Sequence, residues 1–266
     1  MATRLFHISD VHFGVENRAA LAEVARAVAA EQPCAVVCTG DLTQRAKHSE
    51  YAAAREWFAS LPAPVVLQPG NHDMPYYNPW ERFSDPFRRY RRLNDAVGTE
   101  LESADVVLVA LLTTVPAQWR FPWSDGVVKP LALAETVAAL EALQDDPRHK
   151  LVIAHHPLLG PDDAGANPTI GGDAAFAALA AAGADAALSG HIHVPLDEVR
   201  VRGGKPMRMI GAGTLSTRLR HGAPPSYRVI TCALGEPITT ELRVIPEEKG
   251  DPSRSRPFPY RKRQNR

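Results

Sequence analysis

Five short polar islands, each placed directly after a run of apolar residues, constrain the fold of this chain more than any other feature. They are Asp10-Val11-His12, Gly40-Asp41, Gly70-Asn71-His72-Asp73, His155-His156-Pro157 and Gly190-His191-Ile192-His193. The islands contain six of the ten histidines. Carboxylates, an amide and imidazoles form an oxygen-and-nitrogen ligand set that suits borderline divalent metals. The pattern therefore predicts a fold that gathers the ends of several strands around metal ions.

The apolar runs alternate with helical segments, which is typical of an α/β protein whose sheet carries helices on both faces. We predict strands at 5–8, 35–38, 65–67, 106–112, 151–154 and 186–188. We predict helices at 18–30, 48–60, 131–143 and 173–182. In the last third, four further runs predict antiparallel strands joined by Gly and Pro turns, at 196–201, 207–210, 227–232 and 241–244.

Length and local composition predict the domain organisation. A chain of 266 residues can form one α/β domain, which we expect at residues 1–250. Residues 74–104 interrupt the alternation with aromatics, prolines and arginines, so we expect a small helical cap insertion there. Residues 251–266 are basic and contain little apolar material, so a disordered tail is predicted.

Composition narrows the class of protein. Lys plus Arg and Asp plus Glu both number 30, so the net charge gives no general reason to expect a nucleic-acid or membrane binder. The apolar stretches are shorter than the roughly 20 residues that span a bilayer. Three cysteines favour a reducing compartment, and the first residues run straight into the first island without room for a signal peptide. We therefore expect a cytoplasmic protein.

The islands can converge because the carboxyl ends of the strands in an open α/β sheet form one rim, where ligand sites occur. On an extended backbone residues i and i+2 share a side, so we expect Asp10 and His12 to point together, and likewise His191 and His193. Asp41 is the candidate bridge, since two ions about 3.5–4 Å apart need a shared anionic ligand. One ion is expected to take Asp10, His12, Asp41 and His193. The other is expected to take Asp41, Asn71, His155 and His191.

A hydrolytic role follows from this ligand set. Two such ions activate a water molecule and neutralise the charge that develops on a phosphate under in-line attack. His72 follows the ligand Asn71, so we expect it near the site as the acid that protonates the leaving oxygen, typically worth roughly 10²–10⁴-fold in rate. Asp73 is expected to orient the His72 imidazole. Mn, Fe, Zn and Co all accept these ligands, so the sequence leaves the metals open.

The five islands, in this order, resemble the motifs of the calcineurin-like metallophosphoesterase superfamily over about residues 4–215. The resemblance implies a four-layer αββα sandwich with a bimetal centre. It also makes His155 the ligand of the adjacent pair and leaves His156 lining the pocket. Gly40–Ala46 and the Gly-Asn-His-Asp island are similar to bacterial class III cyclic-nucleotide phosphodiesterases and glycerophosphodiesterases. The expected reaction is thus hydrolysis of a small phosphodiester.

Several alternatives stay open. The metal site could be vestigial, with the basic cap and tail binding nucleic acid or anionic lipid, or the protein could be a nuclease. His221 lies in a polar stretch that could border the substrate pocket, although a plain loop is the simpler interpretation. The aromatics Tyr76, Tyr77, Trp119 and Trp123 could stack on a nucleobase or cover the core. The oligomeric state, a homodimer included, is not fixed by the sequence.

Overall fold

The computed structural model describes residues 2–160, 169–220 and 222–246. Twelve strands are described in these ranges: β1 (Thr3–Ile8), β2 (Ala35–Cys38), β3 (Val65–Leu67), β4 (Val106–Ala110), β5 (Gly126–Val127), β6 (His149–Ile153), β7 (Thr169–Ile170), β8 (Ala186–Ser189), β9 (Leu196–Arg202), β10 (Lys205–Gly211), β11 (Ser226–Cys232) and β12 (Thr239–Val244). The helices are α1 (Arg18–Glu31), α2 (His48–Ser60), α3 (Pro79–Ser84), α4 (Arg88–Val97), α5 (Pro130–Glu141) and α6 (Gly172–Ala181).

Ten of these strands form two five-stranded sheets, and β5 and β7 form a separate two-stranded ribbon. The first sheet has the order β12-β11-β1-β2-β3, in which β1, β2 and β3 are parallel. The second sheet has the order β4-β6-β8-β10-β9, in which β4, β6, β8 and β10 are parallel. Each sheet therefore presents a row of parallel strand ends to one edge.

Three apolar clusters show how the layers stack. Because successive side chains of a strand point to opposite faces, Phe6 of β1 packs against α1 and α2, while its neighbour Leu5 faces the second sheet. The central cluster places Leu5 and Val37 of the first sheet with Leu151 and Leu188 of the second. A third cluster joins the second sheet to α5 and α6. Helix, sheet, sheet and helix thus form the four-layer αββα sandwich that the resemblance implies. The single sheet with helices on both faces, predicted from the alternation of strands and helices, is wrong, because each sheet carries helices on one face and packs against the other sheet on its second face.

The predicted helices and strands of the first two thirds occur with small shifts at their ends. The last third differs from the prediction in its pairing. Strands β9 and β10 form an antiparallel hairpin, but β10 also lies parallel to β8 in the second sheet. The hairpin of β11 and β12 joins the other sheet, antiparallel to β1. Alternating apolar residues indicate that a segment is a strand but do not determine which strand it pairs with. Burial against the rest of the sheet decides the pairing.

The cap consists of α3 and α4, and its arginines are largely used within it. Glu81, which is buried, accepts hydrogen bonds from Arg88 and Arg89, and Arg91 pairs with Asp85. Leu93 is buried in the cluster that contains α2. Helix α4 therefore has one side packed against α2 and one side exposed to solvent.

Two sequence expectations fall on residues outside the described ranges. They are the position of His221 and the state of the tail at 251–266. None of the helices in the described ranges has the length and hydrophobicity needed to span a bilayer.

Candidate metal centre

The five islands follow β1, β2 and β3 of the first sheet and β6 and β8 of the second. The two sheets meet at this edge: His155, which follows β6, donates through Nδ1 to the carbonyl of Thr39, which follows β2, at 2.8 Å. The main-chain nitrogen of His191 donates to Asp10 Oδ2 at 2.8 Å. The sandwich therefore brings strand ends that lie far apart in sequence into one buried cluster.

At five residues of the islands the backbone is left-handed and not extended. The expectation that Asp10 and His12, and likewise His191 and His193, point together assumed an extended backbone, and the structure corrects that assumption. Asp10, His12, Asp41, His191 and His193 have φ values of 53°, 49°, 51°, 68° and 60°. Non-glycine residues rarely adopt positive φ, and such strain concentrates at functional sites. Asp10 and His12 still face the same position. His191 and His193 do not, because they turn towards different partners.

The first group consists of Asp10, His12 and His193. The Nε2 atoms of His12 and His193 are 3.2 Å apart, and Asp10 Oδ1 lies 3.1 Å from His193 Nε2 and 3.7 Å from His12 Nε2. All three side chains are buried. Their donor atoms lie close enough to surround one ion.

The second group lies around His155. Its Nε2 is 3.1 Å from Asn71 Oδ1 and 3.5 Å from Asp41 Oδ2. The ring of His191 lies 5.2 Å from that of His155, measured between centroids. The structure therefore brings Asn71 and His191 together around His155.

Asp41 lies between the two groups. Its Oδ2 is 3.6 Å from His12 Nε2 and 3.5 Å from His155 Nε2, so one carboxylate oxygen faces a ligand of each group. Its Oδ1 accepts from the main-chain nitrogen of His72 at 2.8 Å. Gly70 makes this approach possible, because a Cβ there would lie 2.2 Å from Asp41 Oδ1. The bridging position predicted for Asp41 is thus available.

For His193 and His155, a hydrogen bond at the other ring nitrogen fixes which atom of the imidazole faces the centre. His193 Nδ1 donates to the carbonyl of Arg218 at 2.6 Å, as His155 Nδ1 does to Thr39. An Nδ1–H tautomer leaves the Nε2 lone pair for a metal. Asp10 Oδ1 is buried without a hydrogen-bond partner among the described residues. The imidazole lone pairs and the buried carboxylate oxygens that meet here repel one another unless a cation lies between them. This cluster therefore fits metal ions.

The charges of the cluster are strongly perturbed. Burial lowers the pKa of His12 and of His191 to about 3, which keeps both imidazoles neutral. Burial opposes ionisation of Asp41, but the adjacent His155 and His72 outweigh it and hold the pKa of its carboxyl well below the usual range. Burial also lowers the pKa of His155, yet Asp41 and Asp10 prevail and raise it to about 9.

His72 lies at the edge of this cluster. Its ring makes an edge contact with that of His12, with centroids 4.8 Å apart. Its Nδ1 donates to the carbonyl of Gln44 at 2.6 Å, which leaves Nε2 to face the site. This placement is the one expected for an acid next to the ligand Asn71.

Asp73 does not orient His72, so that expectation is wrong. Its buried carboxylate accepts from the main-chain nitrogens of Leu42, Thr43 and Gly70 at 3.1, 2.8 and 2.8 Å, and from the Thr43 hydroxyl at 2.9 Å. Burial and the charge of Asp41 raise the pKa of Asp73 to about 7, and these donors oppose the shift. Asp73 holds together the loops that carry Asp41 and Asn71, while the Gln44 carbonyl orients the imidazole.

His156 is buried and fully engaged. Its Nε2 lies 2.9 Å from the carbonyl of Ser124, and its Nδ1 lies 2.9 Å from the Thr113 hydroxyl. Burial lowers the pKa of His156 well below its ordinary value. The residue therefore anchors the loop between Thr113 and Gly126 and does not line an open pocket, which corrects the role that the resemblance implied.

Arg218 is a site residue that the sequence did not reveal. Its Nη1 lies 3.1 Å from His72 Nε2, 3.4 Å from His12 Nε2 and 3.4 Å from Gln44 Oε1. No motif marks the residue; the only signal is its place in the polar stretch that also contains His221. A guanidinium beside both the metal ligands and His72 is suited to bind phosphate oxygens, which Arg contacts through several N–H groups at once.

The family model of the calcineurin-like phosphoesterases matches residues 3–195, which is more than half of the chain. The chain belongs to this family. The phosphoesterase family uses divalent metal ions, in agreement with the buried His and Asp clusters. The motifs and the four-layer sandwich predicted from the resemblance are therefore confirmed.

Two curated relatives of the phosphoesterase carry names of phosphodiesterases. The glycerophosphodiester phosphodiesterase GpdQ of Enterobacter lignolyticus is 32% identical over 175 residues, covering 58% of this chain and 57% of the relative. A probable cyclic nucleotide phosphodiesterase of a Pseudoalteromonas species is 27% identical over 174 residues, with the same coverage. The chain thus spans somewhat more than half the length of the curated relatives it matches.

Solved structures share the fold at low identity. A dimetal phosphatase from Danio rerio matches with a TM-score of 0.65 at 15% identity, covering 91% of this chain and 96% of that one. A purple acid phosphatase from yellow lupin matches with a TM-score of 0.63 at 12% identity, covering 92% of this chain and 52% of that one. At such identities the likeness shows the fold alone.

Proposed function

We propose that the protein is a phosphodiesterase that hydrolyses small phosphodiesters at a dinuclear metal centre. The observation that carries this proposal is the position of Asp41 Oδ2, between His12 Nε2 at 3.6 Å and His155 Nε2 at 3.5 Å. A carboxylate shared by two ligand groups is what a pair of ions about 3.5–4 Å apart requires. The phosphodiesterase names of the two curated relatives favour a diester substrate.

The residues divide the work as follows. Asp10, His12, Asp41 and His193 would hold one ion, and Asp41, Asn71, His155 and His191 the other. When bound, two divalent ions such as Mn, Fe, Zn or Co supply a hydroxide nucleophile at neutral pH and neutralise charge on the phosphate. The single amide in the ligand set keeps the centre from becoming strongly anionic, so it still accepts a phosphate.

His72 and Arg218 act on the substrate itself. His72 Nδ1–H is held by the Gln44 carbonyl, and Nε2 accepts from Arg218 Nη1 at 3.1 Å. When Arg218 turns to the phosphate and His72 takes up a second proton on Nε2, that proton can pass to the leaving oxygen. The Arg218 guanidinium, within 3.1 Å of the same Nε2, can bind a phosphate oxygen and keep the leaving group beside His72. A small diester in a reducing, cytoplasmic setting remains the proposed context.

The proposal is tested with bis(p-nitrophenyl) phosphate and metal analysis. Purified protein is stripped with a chelator, dialysed and titrated with Mn²⁺ while bound metal and hydrolysis are measured together. Hydrolysis should vanish on stripping and return only as the second equivalent binds. Asp41→Ala should lose the second equivalent and the activity, whereas Asp95→Asn, on the exposed side of α4, serves as the matched control. Full activity in the stripped protein, or in Asp41→Ala, contradicts the proposal.

The polyanion-binding alternative gains no support from the cap. Its arginines Arg88 and Arg89 share the carboxylate of Glu81, and Arg91 pairs with Asp85, so two of these three positive charges are compensated locally. Such compensation weakens the long-range attraction of phosphate backbones that nonspecific nucleic-acid binding needs.

A further inference from the structure

Aromatic side chains of the cap and of the loop 115–124 lie on the surface and do not cover the core. Tyr76 is 66% exposed, Trp123 is 76% exposed and Trp119 is fully exposed. Phe83 and Phe121 are also exposed. A large solvent-exposed aromatic patch on a folded domain marks an interaction site more often than chance.

Four of these side chains, those of Tyr76, Phe83, Trp119 and Trp123, enclose a cleft, here called the aromatic cleft. It has a volume of about 430 Å³, and its apolar walls include Tyr76 and Phe83 on the cap side and Trp119 and Trp123 on the loop side. Arg82 and Gln118 supply polar groups among these walls. Pockets for small ligands commonly measure roughly 300–1,000 Å³ and combine apolar walls with a few polar groups.

The two walls of the aromatic cleft are fixed to each other. Arg82, on the cap, donates through Nε to the carbonyl of Pro116 on the loop at 2.8 Å. The loop is closed upon itself by the ion pair between Arg120 and Asp125, at 2.7 Å. A cleft whose walls are held by such bonds exists before a ligand arrives, which reduces the entropy that binding would cost.

Both walls extend directly from the metal centre. Tyr76 lies four residues beyond His72, so its Cα is within about 14 Å of that of the proposed acid. Arg45, next to the Gln44 that holds His72, lies over the rings of Tyr76 and Tyr77, 5.6 Å from each centroid. The loop wall is anchored by Ser124 to His156, the neighbour of the ligand His155. Short segments therefore connect both walls of the cleft to the metal centre, one through His72 and Gln44 and the other through His156.

We propose that the aromatic cleft binds the nucleobase of a nucleotide phosphodiester while its phosphate lies at the metal centre. This inference rests on the proposed function and selects a substrate class within it. A planar base can stack on Tyr76 and the two tryptophans and use its polar edge with Arg82 and Gln118. A glycerol group has no aromatic face and would leave the apolar walls wet, so glycerophosphodiesters fit the cleft poorly.

Binding is measured first, because it does not depend on turnover. Adenosine monophosphate is titrated into the full chain while tryptophan fluorescence and calorimetric heat are recorded. Base stacking predicts that Trp123→Ala and Tyr76→Ala weaken binding by roughly fivefold or more, while Tyr76→Phe retains it. Trp80→Ala is the matched control, since Trp80 is 83% exposed on α3 but does not line the cleft.

Hydrolysis then separates this inference from the proposed function. With Mn²⁺ present, the cleft variants should lose kcat/KM on cyclic AMP by a similar factor and leave kcat/KM on glycerophosphoethanolamine unchanged. Equal losses on both substrates, or wild-type binding of adenosine monophosphate in Trp123→Ala, overturn the inference. The inference is also overturned if the only effect of a cleft substitution is to dissociate a dimer in analytical ultracentrifugation. The cleft would then be an interface between two copies of the chain. Cleft-dependent nucleotide binding without hydrolysis of any diester supports the cleft and rejects the proposed function.

Discussion

The metal centre and the aromatic cleft are adjacent but are built in opposite ways. The centre consists of buried side chains at strand ends, most of them on left-handed turns, and hydrogen bonds to main-chain carbonyls fix the imidazoles of His155 and His193. The cleft consists of exposed side chains on a short helix and a loop, joined chiefly by Arg82 and by stacking of Arg45. Chemistry requires ligands held to fractions of an ångström. Recognition of an organic group tolerates looser walls. Substitutions in the two regions should therefore have different kinds of effect.

The largest effect is expected from removal of a ligand. His193→Ala deletes a nitrogen that lies 3.1 Å from Asp10 Oδ1. The loss of one ion should raise the activation free energy of diester hydrolysis by several kcal/mol, which lowers the rate roughly 10³-fold. Metal analysis should show fewer ions per chain. His48→Ala, at the exposed start of α2, is the control and should behave as wild type. Unchanged metal content in His193→Ala would remove this residue from the centre.

The next effect concerns the proposed acid. His72→Gln should lower kcat by roughly 10²-fold or more on a diester with an alkoxide leaving group. The loss should be much smaller on bis(p-nitrophenyl) phosphate, because p-nitrophenolate leaves without protonation. Bound metal should stay at the wild-type level. An equal loss on both substrates would indicate that His72 acts in some other way than as an acid.

A smaller effect is expected from Arg218. Charge-assisted hydrogen bonds to phosphate contribute about 1.5–3 kcal/mol, so Arg218→Leu should raise KM by roughly tenfold or more with a lesser change in kcat. Arg218→Lys should recover part of the binding, since it keeps the charge without the planar fork. Inorganic phosphate should inhibit Arg218→Leu more weakly than wild type. A wild-type KM in Arg218→Leu would restrict the residue to its main-chain bond with His193.

The smallest effect on catalysis is expected in the cap. Hydrogen bonds from Arg89 and Arg88 outweigh burial and lower the pKa of Glu81 from 4.5 to about 2. The ionised pair therefore stabilises the cap fully above pH 4.5, and the contribution is lost as the pH falls towards 2. Glu81→Gln should speed hydrogen exchange in α3 and α4 at neutral pH while leaving hydrolysis of a small diester near wild type. Unaltered exchange would show that the cap does not depend on this pair.

The clustering of the island side chains could be predicted because its basis is local. Each island places a specific side chain within a residue or two of a strand end, and parallel strands fix which end of the sheet those side chains occupy. Asp41 as the bridge and His72 as the neighbouring donor follow from the same reasoning. The backbone at the ligands could not be predicted, since a left-handed φ at Asp10 or His191 has no signature in residues other than glycine.

Other parts of the site depend on contacts between distant segments. Asp73 is adjacent to His72 in sequence, yet its carboxylate reaches the loop at Leu42 and Thr43 while Gln44 holds the imidazole. His156 faces Ser124, and Arg218 reaches a centre whose other residues are spread between positions 10 and 193. Nothing in the local pattern distinguishes these partners from the alternatives.

By itself the sequence determined the α/β class and the strand ends at which the polar islands lie, and its motifs implied the four-layer family fold, because strand periodicity and metal-binding residue types are both written in short segments. Only the tertiary structure decided which imidazoles are free for a metal, where the guanidinium of Arg218 lies, and that the cap aromatics form a cleft on the surface. The physical reason is that hydrogen bonding and burial depend on what the folded chain brings alongside each residue.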